Sequence, residues 1–411
     1  MVDTSMDGSA DSPQRCDDDV FCMLPWVSIH VATTGDAYPC CAAALKLPIG
    51  SVRTQSLGEI WNAASMRDLR RHMLEGRKSP VCAKCYEQEA SGFASLRTVA
   101  NAKFAHHRRV VQETTDDGTV ERPNLVYLDV RFSNVCNFAC RTCGPEASTA
   151  WGKYARLVDG PLIRPRRSPR SLLDEIEPML GQIEHAYFAG GEPLLMQEHY
   201  ALLEMLLARG RDDVQLSYSS NYSVFEFGRW DVLKLWKSFK RVDVGASLDG
   251  SHARGEYLRK GQRWSNVVEN RRRQIEECPH VSFSISSTLS VLNSLHLPDF
   301  HEEWVNLGLV EPGRIHINIL HDPSHFRLTT LPADLKRKVK ARYERHLASL
   351  ADKPDCESAM RGYEAAIRFM YSQDTSNQLA DLREAIKGQD HARHESFEST
   401  FPELKELVAV A

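Results

Sequence analysis

Cysteine spacing is the feature that most limits what this chain can fold into. Eight of its eleven cysteines fall in two groups. Five lie between Cys22 and Cys85, and three follow within eight residues as Cys136, Cys140 and Cys143. Eleven cysteines are too few for a disulfide scaffold of 411 residues. Clustered thiols of this kind indicate metal ligands before disulfides.

The composition is typical of a soluble globular protein. Hydrophobic residues make up 42% of the chain and charged residues 26%, which provides enough apolar side chain for a sizeable core. The net charge of −4 does not favour nucleic acid as a partner. No run of about 18 apolar residues predicts a membrane span. The acidic, serine-rich start of the chain lacks the apolar segment of a secretory signal, so we expect a cytoplasmic protein with no membrane partner.

Strand-like and helix-like segments alternate along the middle of the chain. Six segments read as strands: 125–132, 184–189, 214–219, 241–248, 280–289 and 314–320. Alternation at this spacing predicts a parallel sheet covered by helices. Six units are too few for a closed eight-stranded barrel. The sequence therefore predicts an α/β fold with an open, partial (β/α)6 TIM-like barrel, whose active site lies at the carboxyl ends of the strands.

The flanking sequence divides the rest of the chain. We expect a disordered tail, a small cysteine-rich unit with an amphipathic helix over 57–74, a polar linker, the barrel, and a helical C-terminal extension. The predicted bounds of these five segments are 1–20, 21–108, 109–123, 124–321 and 322–411.

The motif C-x3-C-x2-C directly follows the first predicted barrel strand. Thiolates of Cys136, Cys140 and Cys143 on one tight loop can hold three corners of a [4Fe–4S] cluster. The loop has no fourth thiolate, which leaves one iron open to another ligand. A zinc knuckle is the alternative, but a structural zinc site normally has four protein ligands.

These residues resemble the radical S-adenosylmethionine (SAM) superfamily over about residues 124–320. Its members carry such a motif after the first strand of a partial barrel. The segment Gly190-Gly191-Glu192-Pro193 closes the second predicted strand, and in the family this motif contacts the methionyl ammonium of SAM. Glycines permit close backbone approach, and a carboxylate accepts hydrogen bonds from an ammonium.

The resemblance implies further contacts with SAM. Ser219 and Asn221 on the third strand match positions that often touch the ribose or the carboxylate. Ser247 and Asp249 fall in a ribose-binding segment, and Arg259 lies where a basic residue commonly pairs with the SAM carboxylate.

One position departs from the family pattern. The residue before the third cysteine is usually aromatic and lies near the adenine, but here it is Thr142. We expect Phe138 to supply the apolar face instead, or the adenine to rest on backbone alone.

The N-terminal cysteines resemble an auxiliary-cluster domain. Cys22 and Cys40 flank Gly35 with the spacing that opens SPASM and twitch domains, and Cys82 and Cys85 bring the set to four thiolates. One auxiliary [4Fe–4S] cluster suits a twitch domain, a half-SPASM-like unit, placed here before the barrel. Two alternatives stay open: Cys41 replaces Cys40 as a ligand, or the four cysteines form a zinc site.

The resemblance implies an activity. A radical SAM enzyme reductively cleaves SAM at its [4Fe–4S] cluster to a 5′-deoxyadenosyl radical, which abstracts hydrogen from the substrate. Members with auxiliary-cluster domains often modify peptides or small natural products. The second cluster then accepts an electron or ligates the substrate, and a flavodoxin or ferredoxin is the type of electron donor expected. The alternatives are a radical SAM epimerase, and a non-catalytic SAM-binding iron–sulfur protein for electron transfer or regulation.

Overall fold

The computed structural model describes residues 19–90, 92, 94–154 and 169–409. The tail predicted over 1–20 lies outside this part of the chain, apart from Asp19 and Val20. Among the residues described, no helix is both long enough and apolar enough to cross a bilayer.

One large sheet organises the described part of the chain. Its strands are β1 (Ser28–Val31), β2 (Asp36–Tyr38), β3 (Gly50–Ser51), β4 (Tyr127–Val130), β5 (His185–Phe188), β6 (Gln215–Ser220), β7 (Val242–Ala246), β8 (Ser282–Leu289) and β9 (Ile315–Ile319). The spatial order is β9-β8-β7-β6-β5-β4-β1-β2-β3. Strands β4 to β9 are all parallel to their neighbours, as the six predicted units require.

The two faces of this sheet differ in chemistry. Along β6 and β8, buried and half-exposed residues alternate, because successive side chains of a strand point to opposite faces. The buried face joins the hydrophobic core of the covering helices. The other face is polar and its side chains pair between strands: His185 with Ser217 at 2.7 Å, and Tyr187 with Ser219 at 2.7 Å. We call this second face the inner face of the barrel.

Helices surround the sheet in three groups. They are α1 (Leu24–Val27), α2 (Leu57–Trp61), α3 (Ala64–Leu74), α4 (Ala83–Ala90), α5 (Leu96–Lys103) and α6 (Arg109–Gln112) before the barrel; α7 (Pro169–Ile176), α8 (Gln197–Ala208), α9 (Val232–Trp236), α10 (His252–Leu258), α11 (Trp264–Glu277) and α12 (Leu297–Asn306) within it; and α13 (Ala333–Leu350), α14 (Glu357–Ser372), α15 (Leu379–Arg393) and α16 (Phe397–Thr400) after it. The architecture is thus the predicted partial barrel, with a small N-terminal unit and C-terminal helices.

The N-terminal unit is joined to the barrel through the sheet itself. Strand β1 pairs in parallel with β4, so that Ser28 to Val31 lie opposite Tyr127 to Val130. Strands β2 and β3 then extend this edge as an antiparallel hairpin. The cysteines of this unit are therefore held at a fixed place beside the barrel.

The helix predicted over 57–74 is interrupted in the structure. Helix α2 ends at Trp61, and α3 begins at Ala64. The Asn62 side chain lies at the break, where it donates to the Val120 carbonyl at 3.0 Å and accepts from the Val120 amide at 3.1 Å. These two bonds attach the segment around Val120, 58 residues further along the chain, to the break between α2 and α3.

Candidate functional site

The three-cysteine loop follows β4 at the carboxyl edge of the sheet. The Cys143 amide donates to the Cys140 carbonyl at 3.2 Å, and the Phe138 amide lies 3.4 Å from the Cys136 sulfur. The pair Ala139–Cys140 forms a short antiparallel ladder with Arg259–Lys260. Backbone pairing therefore fixes the middle of the loop against the segment that follows α10.

Burial and mutual contact set the state of these thiols. Cys140 is buried, Cys136 is half-buried and Cys143 is exposed. Burial raises the pKa of Cys136 to about 12, and the neighbouring Cys140 contributes. The hydrogen bond between the other two thiols raises the pKa of Cys143 and lowers that of Cys140. A metal must displace protons to bind here, as is usual for cysteine ligands.

Sulfur spacing tests which metal group the cysteines fit. With Zn–S bonds of about 2.3 Å, the sulfurs of one tetrahedral zinc ion lie about 3.8 Å apart. Within the described residues, no three cysteine sulfurs all lie within 4.8 Å of one another; the three ligand-type groups that do are His106, His107 and Glu184. A cluster whose thiolates attach to separate irons needs wider spacing. The three thiolates of the first group match the donor set of a [4Fe–4S] cluster with one open iron, whereas a structural zinc site needs four protein ligands.

The two glycines after β5 are required by close backbone contact with the cysteine loop. A Cβ at Gly191 would lie 2.1 Å from the carbonyl oxygen of Val135. Gly190 has a φ of +121°, a conformation that favours glycine. The Glu192 amide donates to the same Val135 carbonyl at 2.7 Å. This segment therefore supports the start of the cysteine loop.

The Glu192 carboxylate is enclosed rather than open to a ligand. The residue is 1% exposed. One oxygen accepts from the Leu194 amide and the Ser220 hydroxyl, and the other accepts from the Asn221 amide at 2.7 Å. Burial raises its pKa to about 7, although these bonds oppose the shift. In this structure the carboxylate ties the ends of β5 and β6 together, and its contact with the SAM ammonium stays a prediction.

Asp249 and Arg259 bind each other. The guanidinium makes two contacts with the carboxylate, at 2.8 and 2.9 Å, and both residues are buried. Asp249 also accepts from the Thr288 amide at 2.7 Å. The two charges pair with each other in this structure, and the contacts of Arg259 with the SAM carboxylate and of Asp249 with the ribose stay predictions. Arg259 also acts on Cys140 and Cys143, where its charge favours the thiolates.

Three other predicted contacts lie at the carboxyl ends of neighbouring strands. The side-chain nitrogen Nδ2 of Asn221 lies 3.9 Å from the Cys136 sulfur and 2.8 Å from the Asn137 side-chain oxygen. Ser219 lies on the inner face, and Ser247 follows β7 with its amide bonded to Ser220 at 2.7 Å. The structure thus brings all three to the edge that carries the cysteine loop.

Phe138 is enclosed in this structure. The residue is 1% exposed. A Cβ at Gly261 would lie 2.8 Å from a ring carbon, which shows how closely the segment after α10 covers the ring. The ring packs under the cysteine loop, and its contact with an adenine stays a prediction.

The C-terminal helix α15 covers this loop, which sequence reasoning did not predict. Arg141, within the cysteine motif, contacts Asp390 at 2.6 Å and Glu395 at 2.7 Å. Its guanidinium also lies 3.4 Å from the ring centre of Tyr257. These carboxylates lie about 250 residues away in sequence, so no local pattern could have identified them.

The last residue of α15, Arg393, is buried beside the cysteine loop. Arg393 is 5% exposed, and all three guanidinium nitrogens lack a hydrogen-bond partner among the described residues. The group stacks on Trp151 at 4.7 Å and Tyr154 at 5.0 Å. Burial lowers its pKa to about 10, and its charge favours the Cys140 thiolate.

A cavity of about 540 Å³ opens beside Cys143. The cysteine loop forms one wall, the segment after β9 forms another, and α15 forms the third. Its lining includes Thr142, Cys143, Trp151, Asp322, Phe326 and Gln389. The exposed third cysteine therefore borders a space large enough for a small ligand.

The N-terminal cysteines form a second group. Cys22 interacts electrostatically with Cys82 and Cys85, and Cys40 interacts with Cys22 and Cys85. Burial raises the pKa of Cys82 to about 12, with Cys85 adding to the shift. The four predicted ligands thus lie together.

A buried arginine supplies positive charge to this group. Arg97 is 5% exposed, and its charge favours the thiolates of Cys22 and Cys82. It is held by Glu89 at 2.6 Å and by the Phe21 carbonyl at 3.0 Å. The guanidinium is therefore fixed near the sulfurs that a metal group would bridge.

Cys41 lies beside Cys40 and also near the inner face of the barrel. Burial raises the pKa of its thiol to about 12, the charge of Asp129 adds to the shift, and Arg131 and Lys84 oppose it. Asp129 is fully buried in β4, where it also contacts Arg131 at 3.0 Å and His30 at 3.2 Å. Cys40 therefore stays the predicted fourth ligand, and Cys41 lies near Asp129 at the inner face of the barrel.

Two family models match the chain. The model of the SPASM iron–sulfur cluster-binding domain matches residues 22–86, and the model of the radical SAM superfamily matches residues 130–302. Both matches fall on the cysteine groups described above. No curated protein matches the chain.

Solved structures show more distant similarity. Native anSMEcpe with bound AdoMet and Cp18Cys peptide is 16% identical, with a TM-score of 0.39, covering 55% of this chain and 60% of that one. SuiB of Streptococcus suis bound to S-adenosylmethionine is 10% identical, with a TM-score of 0.38, covering 79% and 69%. TYW1 with a lysine–pyruvate adduct is 11% identical, with a TM-score of 0.31, covering 56% and 72%. The chain thus spans about 60% of the length of anSMEcpe.

A parallel partial barrel with one cysteine group after its first strand and another in the unit before it is the architecture of an iron–sulfur protein built on an α/β barrel. The family matches make the assignment more specific. Residues 130–302 match the radical SAM superfamily, and the SPASM iron–sulfur cluster-binding domain matched over residues 22–86 precedes them. Domains of these two kinds bind a [4Fe–4S] cluster with SAM and an auxiliary iron–sulfur cluster.

Proposed function

We propose that this enzyme abstracts hydrogen from a peptide or small natural product, with its auxiliary cluster accepting an electron or ligating the substrate. The observation that carries the proposal is the arrangement of Cys40 and Cys41. Cys40 lies with the auxiliary cysteines, while its neighbour Cys41 borders the inner face at Asp129. A substrate in the barrel would therefore be within one residue of an auxiliary-cluster ligand.

The donor set fits the two cofactors. Cys136, Cys140 and Cys143 would hold the first cluster, and they leave one iron open for SAM. When both are bound, the first cluster and SAM together would supply a 5′-deoxyadenosyl radical by one-electron cleavage of SAM. The protein contributes orientation, charge and exclusion of water. Arg259 stabilises the thiolates, and Arg141 attaches α15 over the loop.

The polar side chains of the inner face suit a polar substrate. Asp129 of β4 lies across from Tyr187, and the guanidinium of Arg131, directly after β4, lies 4.8 Å from the Tyr187 ring centre. On other strands, Gln215 bonds to Asp243 at 2.6 Å and Asn318 to Ser286 at 3.0 Å. Amide and hydroxyl groups of this kind match the donors and acceptors of a peptide backbone.

SAM cleavage tests the catalytic assignment. Anaerobically reconstituted protein, reduced with dithionite or a flavodoxin or ferredoxin system, should form 5′-deoxyadenosine from SAM. Replacing Cys136, Cys140 or Cys143 with Ala should abolish this product. Cys278→Ala is the control, since this thiol is buried and bonded to the Leu233 carbonyl away from both groups. SAM binding without any cleavage would contradict the enzyme and favour a regulatory or electron-transfer protein.

Metal analysis tests the auxiliary cluster. Cys22→Ala, Cys82→Ala and Cys85→Ala should each remove roughly half of the iron and sulfide, because one of two four-iron clusters is lost. SAM cleavage should survive in part. Unchanged iron in these variants, or zinc in place of iron in the parent protein, would contradict the auxiliary-cluster assignment.

A further inference from the structure

Two histidines and a glutamate converge at the amino end of the barrel, away from both cysteine groups. His106 and His107 lie in a short 3-10 turn, Ala105–His107, at the end of the N-terminal unit. Glu184 directly precedes β5, whose other end leads to Gly190. The His106 Nε2 lies 2.8 Å from one Glu184 oxygen, and the His107 Nε2 lies 2.9 Å from the other.

We propose that His106, His107 and Glu184 bind a divalent transition-metal ion, and that zinc is the ion this donor set fits. Two imidazole nitrogens and a carboxylate are a ligand combination found in zinc sites that keep one position open. The three donor atoms already lie within 4.8 Å of one another. Tetrahedral bonds of about 2.0–2.2 Å need donor separations of about 3.4 Å, so the contacts to Glu184 would lengthen only slightly.

The backbone holds these side chains in place. The Glu184 amide donates to the Val126 carbonyl, and its carbonyl accepts from the Gln215 amide, both at 2.9 Å. The glutamate is therefore part of the sheet. On the other side, Phe104 precedes the histidine turn, is buried and packs against Tyr127. Such preorganisation lowers the entropic cost of gathering the ligands.

Charge and access also suit a cation. The side chains are partly exposed, so an ion can enter and a water can complete its coordination. Arg211, which interacts electrostatically with Glu184, is directed to Asp213 and to the Ile183 carbonyl. The ion would join the N-terminal unit to the floor of the barrel.

Zinc uptake by fully loaded protein tests this proposal. Protein with both clusters intact is dialysed against micromolar zinc under anaerobic conditions, and zinc, iron and sulfide are measured on the same samples. We expect about one zinc per chain with no loss of iron. His106→Gln, His107→Gln and Glu184→Gln should each weaken binding by more than about tenfold. His72→Gln in α3 is the control and should bind zinc as the parent does.

Two further readouts separate this site from the cysteines. X-ray absorption at the zinc edge should show nitrogen and oxygen ligands at about 2.0–2.2 Å rather than sulfur at about 2.3 Å. Zinc should raise the unfolding temperature of the parent protein and of His72→Gln, but not that of His107→Gln. Equal zinc binding by all variants, sulfur ligation, or zinc uptake that releases iron would each overturn the proposal. The result does not depend on SAM cleavage, so the proposed function can fail or hold separately.

Discussion

Cys40 and Cys41 are adjacent in sequence, yet their thiols serve different parts of the molecule. Cys40 lies with Cys22 and Cys85, whereas Cys41 lies near Asp129 at the inner face. Spacing predicts a ligand at this position but leaves the choice between the two open, because either thiol is compatible with the same turn. The choice depends on which side of the hairpin faces the barrel, and this is set by the pairing of β1 with β4.

A matched pair of variants tests this assignment. Cys40→Ser should lower bound iron by roughly half, since it removes a ligand of one of two clusters. Cys41→Ser should leave iron and sulfide unchanged, because its thiol lies outside the group. Iron and sulfide analysis of both variants, prepared in parallel, gives the answer. Equal loss in both, or loss only in Cys41→Ser, would contradict the structure.

The buried guanidinium of Arg393 predicts an electrostatic effect on the first cluster. An unpartnered buried charge is unfavourable, and the thiolates of the loop would supply the opposite charge. Removing this positive charge stabilises the oxidised cluster, so Arg393→Gln should lower its midpoint potential. We expect a shift on the order of 59 mV, a tenfold change in a one-electron equilibrium.

Redox titration followed by electron paramagnetic resonance measures this shift, with the signal that responds to SAM marking the first cluster. Arg393→Lys should retain most of the parent potential. Lys387→Gln removes the same charge from an exposed position of α15 and should have little effect. Identical potentials in the parent, Arg393→Gln and Lys387→Gln proteins would refute the electrostatic role.

At the scale of elements, the sequence pattern predicted the strands and helices, because these depend mainly on local sequence. The alternation of strand-like and helix-like segments identified all six barrel strands, and α8 and α11 lie between strands as that alternation predicts. The pairing of β1 with β4 and the contact of α15 with the cysteine loop were not predicted. Both join segments about 100 or more residues apart, and a single sequence carries no signal for which distant partners meet.

The structure gives the two glycines after β5 a different role from the predicted one. Its glycines were expected to allow close approach of a ligand, but Gly191 already lies against the carbonyl of Val135. A Cβ there has no space, so Gly191→Ala should displace the residue next to Cys136. We expect a loss of about 2 kcal/mol or more in stability and of most iron from the first cluster. Gly58→Ala is the matched control, because nothing lies within 4 Å of its Cβ position.

Chemical unfolding and iron analysis of the two glycine variants test this expectation. Gly58→Ala should match the parent protein in both, or be slightly more stable, since Gly58 lies in α2. If Gly191→Ala keeps its full iron content and SAM cleavage, the close packing of the two loops is not required.

At the scale of the whole molecule, sheet and helices bury several histidines in neutral form. Burial lowers the pKa of His185 and His199 to about 3 and that of His296 and His301 to about 4. The unfolded chain takes up protons at these positions below about pH 6.5, whereas the folded protein does not. Folding stability from these residues is therefore complete above pH 6.5 and is lost as the pH falls toward their folded pKa values.

His199 permits a test of this pH dependence. It is fully buried in α8, with its Nε2 3.0 Å from the Tyr218 hydroxyl and its ring against Phe188. Each such histidine makes the unfolding free energy fall by up to about 1.4 kcal/mol per pH unit below pH 6.5. In His199→Gln the slope of the unfolding free energy against pH should correspond to the uptake of nearly one proton fewer on unfolding, although the variant is less stable at every pH.

His72→Gln should keep the parent slope. Because the cluster ligands are the same in all three proteins, acid damage to the clusters cancels when unfolding curves between pH 5 and 8 are compared. Parallel curves for the parent and His199→Gln would show that the buried imidazole is not the group that titrates.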